Sequence, residues 1–176
     1  MKEHAITISA FTKGYAMDGW RIGYAAAPEN IINQMLKITL NETTHLCVFA
    51  QEGALAAVTA SQDCVKEMVA DDCLRRDLIV ERLNNMPGVR CAQPQGTIYA
   101  FPDFSAWGIA SEQLSLDILH HTHVATEAGS FYGTAGKGYL GICIGSESYD
   151  RAKEALDRIE NYLNSLTPPV VVAEAS

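Results

Sequence analysis

Between Ile6 and Pro28 the chain has to double back on itself. Ile6, Ile8 and Ala10 form a short apolar run, Gly14 and Gly19 sit in the stretch that follows, and Trp20, Ile22, Tyr24 and Ala26 then alternate with Arg21, Gly23, Ala25 and Ala27. Alternation of period two marks a strand, and Pro28 stops it because proline has no N–H to donate to a ladder. The expectation is two strands, at 5–11 and 20–27, joined by a glycine-bearing turn. Lys13 lies in that turn and Arg21 near the start of the second strand, so an amine and a guanidinium come to one end of the sheet.

The rest of the chain alternates helices with short strands. Pro28-Glu29-Asn30 opens a helix carrying Ile31, Ile32, Met35, Leu36 and Leu40 at helical spacing. Asn41 to His45 interrupts the pattern, and an Ala-rich helix runs from Cys47 to Ala60. Ser61 caps a long helix over about 62–85, with Asp71–Arg75 and Asp72–Arg76 as i,i+4 pairs on its wet face. Pro87-Gly88 ends it. Segments 89–92 and 97–101 predict a hairpin around Gln93-Pro94-Gln95-Gly96. A helix at 111–121, a strand at 123–126, a loop with Gly129, Gly133, Gly136 and Gly138, a strand at 139–144 closing the sheet, and a helix at 149–163 complete the pattern. Thr167-Pro168-Pro169 stops that helix, and residues 167–176 are expected to form a flexible tail.

At 176 residues and a formal net charge of −8 the chain lacks the clustered Lys and Arg that nucleic acid or an anionic membrane requires. No apolar run approaches the roughly 18 residues of a spanning helix, and Met1-Lys2-Glu3-His4 leads into a strand instead of a leader peptide, so the expected location is the cytoplasm. The five cysteines (Cys47, Cys64, Cys73, Cys91, Cys143) are widely spaced without a CxxC pair and are expected to be reduced and mostly buried. His120 and His121 point to different faces of one helix, and with His123 they lack a fourth ligand, so no metal site is expected. The glycines at 133, 136 and 138 have no following GK[ST] and serve tight turns.

The run Ser9-Ala10-Phe11-Thr12-Lys13-Gly14-Tyr15-Ala16-Met17-Asp18-Gly19-Trp20-Arg21-Ile22-Gly23-Tyr24 resembles the cofactor-lysine segment of fold-type-I, aspartate-aminotransferase-like enzymes of class I/II, which depend on pyridoxal 5'-phosphate (PLP). The resemblance continues through most of the chain and corresponds to the C-terminal part of such an enzyme. It implies an α/β chain of three parts: residues 1–60 as a two-strand remnant of the large PLP-binding domain, 61–166 as a small C-terminal α/β domain of α+β type, and 167–176 as the tail. It also implies that Lys13 attaches the cofactor and acts as general acid and base, and that Arg21 binds the cofactor phosphate. Ala10 stands three residues before the lysine, where many relatives place a Ser that reaches the phosphate. Thr12 is a half-buried strand residue, and Thr43, Thr44 and His45 fall where relatives approach the neighbouring subunit's cofactor.

Two features set the chain apart from that pattern. The acid that pairs with the pyridine nitrogen, the aromatic that stacks on the ring and the helix N-terminus that cradles the phosphate have no counterpart in these residues. The segment Gly129-Ser130-Phe131-Tyr132-Gly133-Thr134-Ala135-Gly136-Lys137-Gly138-Tyr139-Leu140-Gly141-Ile142-Cys143 resembles the family's late loop and strand, but Gly141 occupies the place of the arginine that clamps the substrate carboxylate. The resemblance therefore implies amino-group transfer between an amino acid and a 2-oxo acid, with little or no activity from this chain alone. A homo-oligomer or a complementing N-terminal chain would supply the rest. The alternative is a non-catalytic dimerisation or binding module of the same ancestry.

Overall fold

The structure is a computed structural model, and it describes residues 2–167; residues 168–176, most of the expected tail, lie outside the described residues. The chain divides into two compact units, Met1–Met68 and Val69–Ser176.

In the first unit, β1 (Thr7–Ala10) and β2 (Gly23–Ala26) pair antiparallel, with Thr7 opposite Ala26 and Ala10 opposite Gly23. The second strand begins three residues later than the alternation from Trp20 predicts. Asp18–Trp20 forms a 3-10 turn, and Arg21 adopts a left-handed φ of 52°, which no extended strand tolerates. Helix α1 (Glu29–Glu42) starts directly after Pro28 and half-buries Ile31, Ile32 and Met35. Helix α2 (Val48–Thr59) presents Ala50 and Ala54 to Phe11, Met17 and Ile22 of the β1–β2 connection. Alanine favours the helix and its methyl holds the connection close to the helix surface.

Helix α3 (Asp63–Asn85) opens where the Ser61 hydroxyl accepts from the Asp63 N–H at 3.2 Å. Its ion pairs differ from the expected i,i+4 set. Arg75 pairs with Asp72 at 2.5 Å and Arg76 with its neighbour Asp77 at 2.7 Å. Positions i and i+3 are neighbours on a helix surface as much as i and i+4 are.

The second unit holds a three-stranded antiparallel sheet of β3 (Tyr99–Ala100), β4 (Glu127–Ala128) and β5 (Leu140–Cys143) in the order β3-β5-β4. The last strand in the chain, expected to close the sheet, lies at its centre. The expected hairpin between 89–92 and 97–101 does not form. The Asn84 side chain takes both backbone groups of Cys91, each at 2.9 Å, and Arg90 bridges Asp103 instead. Nor is 123–126 a strand. His123 caps helix α4 (Ser111–Thr122) with a left-handed φ of 58°, and the Thr126 carbonyl accepts from the Ser115 hydroxyl at 2.6 Å, so pairing with β5 begins only at Glu127. Two 3-10 turns, Gly129–Tyr132 and Thr134–Gly136, lie against each other. A Cβ on Gly136 would come within 2.0 Å of the Gly129 carbonyl oxygen.

The core of this unit is built by Ile79 and Leu83 of α3 with Met86 just past its end, Phe104 of the loop before α4, Leu114 and Ile118 of α4, Leu140 of β5, and Leu156, Ile159 and Leu163 of helix α5 (Tyr149–Ser165). Ser148 caps α5, accepting from the Arg151 N–H at 3.4 Å. Arg82 of α3 ties the two long helices together, its Nη2 donating to Asp157 at 2.6 Å and Glu160 at 2.7 Å. Those two carboxylates raise the guanidinium's pKa further above its ordinary value. The cysteines are free, as expected, but mostly not buried. Cys47, Cys64 and Cys143 are exposed, Cys73 is half-buried, and only Cys91 of the five is buried.

Two outcomes follow from this packing. Leu83→Ala, at a site with no exposure, should destabilise the second unit by about 2–5 kcal/mol in urea unfolding, whereas Leu40→Ala, in an exposed turn of α1, should cost within about 0.5 kcal/mol. Burial pushes the Cys91 thiol up, which depletes the thiolate that alkylates. Iodoacetamide at neutral pH should therefore label Cys47, Cys64 and Cys143 well before Cys91, as read by peptide mass mapping; early labelling of Cys91 would contradict its placement.

Candidate functional site

The β1–β2 connection is held from within by one residue. The Phe11 N–H donates to the Ile22 carbonyl at 3.2 Å and extends the ladder by a pair. The Phe11 carbonyl accepts from both Tyr15 N–H at 3.3 Å and Met17 N–H at 3.4 Å. Lys13 lies inside that closed loop, where its own carbonyl accepts from Ala16 N–H at 3.2 Å. Phe11 and Met17 are buried while Lys13 is exposed, so the loop is anchored at its two apolar ends and presents the amine between them. Tyr15 adds a link to the start of α3 through a 3.3 Å hydrogen bond from its hydroxyl to Gln62 Oε1.

Arg21 sits at the far end of the same connection, directly before Ile22. Its left-handed backbone turns the side chain back, and Nη1 donates to the Asp18 carbonyl at 2.7 Å. One guanidinium N–H is therefore spent on holding the group in place, and the remaining donors of the fork are open to solvent. Trp20, next to it, lies on α2. A Cβ on Gly53 would come within 2.4 Å of the indole Cζ3, so only glycine admits the ring there. The sequence places Lys13 and Arg21 at one end of the ladder, and the structure has both in the connection at that end. The Trp20–Gly53 contact is not legible in the sequence, because nothing in the Ala-rich run Cys47 to Ala60 singles out one small residue from another. Thr43, Thr44 and His45 are exposed between α1 and α2, with Thr44 at a left-handed φ of 57°.

Gly141 lies in β5 of the second unit, opposite Glu127 of β4. A Cβ built on it would stand 3.4 Å from Glu127 Cβ, 3.6 Å from Glu127 Oε2 and 3.7 Å from Tyr132 Cε2, ordinary contacts for a methyl group. The Tyr132 hydroxyl donates to Glu127 Oε2, and that bond holds the phenol pKa above its ordinary value. Neither Glu127 nor Tyr132 is suggested by the sequence, since the strand expected at 123–126 puts the wrong residues opposite Gly141.

No metal-holding cluster of His, Cys, Asp and Glu occurs among the described residues. His121 stacks on Tyr162 with ring centroids 4.9 Å apart. A cavity of about 340 Å³ opens in the second unit over Ile79, Ile142, Leu156 and Ile159. The Arg151 and Arg158 guanidiniums at its rim are each engaged by a carboxylate, Glu147 and Glu154, and none of the candidate residues lines it.

With this geometry in hand, the likeness to known proteins is specific. The family model for aminotransferase class I and II matches residues 1–159. An aspartate aminotransferase of Pyrococcus abyssi is 38% identical over 165 residues, covering 93% of this chain and 42% of that protein. The crystal structure of an aromatic aminotransferase from Pyrococcus horikoshii superposes with a TM-score of 0.89 at 36% identity, over 94% of this chain and 44% of that one. A PLP-bound structure from Clostridium difficile superposes with a TM-score of 0.81 at 25% identity, over 89% and 41%. The chain spans less than half the length of these relatives. Shared sequence along nearly the whole chain, together with the shared mixed α/β fold, identifies it as a member of the class I and II aminotransferase family.

Proposed function

We propose that this chain carries the lysine-bearing, C-terminal portion of a PLP-dependent aminotransferase acting between an amino acid and a 2-oxo acid. The observation that carries the reading is the placement of Lys13 and Arg21 in one hydrogen-bonded connection, both exposed. The donor set suits the cofactor: a primary amine that condenses with an aldehyde, and a guanidinium with open N–H groups for a phosphate. PLP, when bound, supplies an electron sink for the carbanion formed at the substrate Cα. Lys13 would hold the cofactor covalently and then carry a proton on Nζ as general acid and base. Arg21 would fix the phosphate, its orientation set by the bond to the Asp18 carbonyl.

On this reading residues 1–60 belong to the large cofactor domain and 61–166 to the small domain. The remaining walls of the site would come from protein outside these 176 residues, as a complementing N-terminal portion or as a second copy in a homodimer. The chain alone would be inactive or nearly so, because water enters where those walls would exclude it. Among the described residues no helix is long and apolar enough to cross a membrane, in keeping with action in the cytoplasm.

A second reading is favoured by the exposed side chains of the first unit. Ile8 is 76% exposed, Val48 70% and Phe49 77%, and apolar surface of that kind normally meets another protein surface. A non-catalytic dimerisation module would use the same fold without the amine.

Borohydride trapping after incubation with PLP, followed by peptide mapping, separates the two. The proposal predicts that Lys13 is labelled ahead of Lys37, Lys66, Lys137 and Lys153, below one equivalent at low micromolar PLP. Arg21→Ala should reduce the label at Lys13 at least severalfold and leave the others unchanged. Equal labelling of all these lysines, indifferent to Arg21, would overturn the proposal in favour of the non-catalytic module.

A further inference from the structure

Of the four residues that form the lysine turn, Lys13, Gly14 and Ala16 are exposed and only Tyr15 is half-buried. The Phe11 backbone closes the base of the connection, so the Tyr15 side chain is what the outer turn has left to hold its angle. Ala16 follows with a left-handed φ of 52°, a conformation that a residue with a Cβ keeps only where its neighbours over-determine it. The Tyr15 ring lies 5.4 Å from the Phe11 ring and, like Ala57 of α2, packs against the apolar cluster there. Its hydroxyl donates to Gln62 Oε1 at 3.3 Å.

Gln62 stands between α2 and α3, half-buried, and both ends of its amide are engaged. Nε2 donates to the Ala57 carbonyl at 2.9 Å and to the Ala60 carbonyl at 3.0 Å. Those carbonyls belong to the last turn of α2 and its cap, groups that a helix end leaves without partners inside the helix. With the nitrogen committed to two carbonyls the amide has one orientation, and its oxygen faces the phenol donor. One side chain thus closes the end of α2 and holds the lysine turn. Loss of that amide would release Tyr15 and leave the turn supported by exposed residues alone.

We propose that Gln62 is a positioning residue for Lys13, fixing the lysine turn through Tyr15 so that the amine keeps its relation to the Arg21 guanidinium. The inference rests on the reading of Lys13 and Arg21 as the cofactor's holders and adds to it a residue remote in sequence. An amine and a guanidinium in fixed relation capture the aldehyde and the phosphate of one molecule together, whereas a swinging amine gains little from the phosphate.

The test compares PLP with pyridoxal, which has the aldehyde but no phosphate, in borohydride labelling of the 176-residue chain, with Lys137 and Lys153 as internal references. The unaltered chain should prefer PLP over pyridoxal at Lys13 more than at these references. Tyr15→Phe, which keeps the ring, and Gln62→Ala should each lower that preference about threefold, the scale of one long hydrogen bond. The double variant should lose no more than either single one, because one interaction is removed once. Native-state exchange gives a readout without ligand. The Ala16 amide, bonded to the Lys13 carbonyl, should exchange faster in both variants while the β1–β2 ladder is unchanged. A preference that both variants retain, losses that add in the double variant, or an Ala16 amide that neither accelerates would overturn the positioning role and leave the reading of Lys13 standing. So would equal acceleration of the ladder, which marks loosening of the whole unit. Absence of any PLP preference at Lys13 in the unaltered chain would overturn both.

Discussion

The backbone of Phe11 is the constraint on which the lysine-bearing region depends. A single carbonyl that accepts from Tyr15 and Met17, and an N–H that continues the ladder to Ile22, close the connection between β1 and β2. The Phe11 ring, with Met17 and Ile22, buries the inner side of that connection on Ala50 and Ala54. Without those apolar anchors, a twelve-residue connection holding two glycines would have too much conformational freedom to present an amine and a guanidinium in a fixed relation. With them, the charged residues are the outer, solvated side of a small packed loop. The hydrogen bonds fix the backbone on which both charged residues stand.

The second unit reaches a definite structure by ordinary means: long amphipathic helices, a short sheet and one ion-paired seam at Arg82. Its functional interest lies on the side of the sheet away from that core. There, Gly141 and Glu127 stand at directly paired positions. Where the family resemblance implies a cation that clamps a carboxylate, this sheet has a glycine with the Glu127 carboxylate and the Tyr132 ring packed beside it. An arginine returned to position 141 would meet Glu127 before any substrate, so the two positions have to be considered as one electrostatic unit.

Much of this architecture is legible in the sequence, for identifiable reasons. The helices are accessible because apolar spacing, Pro28, Ser61 and Pro87-Gly88 mark their faces and ends. The lysine segment was accessible because its long, ordered pattern leaves few other interpretations. The short strands were not. Nothing in 89–92 announces that the Asn84 side chain will take the hydrogen bonds of Cys91, and nothing in His123 to Thr126 announces that strand pairing will wait until Glu127. A one-residue error of register exchanges the faces of a strand, and that is why the Glu127–Gly141 pair and its aromatic surroundings emerge only from the structure. Likewise, Trp20 on Gly53 is a contact between segments whose composition holds no mark of it.

The central claim is that the Phe11 backbone closes the Lys13 loop in the 176-residue chain. Native-state amide hydrogen exchange measures this directly. The account predicts that the Phe11, Tyr15 and Met17 amides are protected together and open in one step with the β1–β2 ladder, because they share the Phe11 backbone as their closing point. Exchange of Tyr15 and Met17 at unstructured-chain rates, while the ladder itself stays protected, would contradict it.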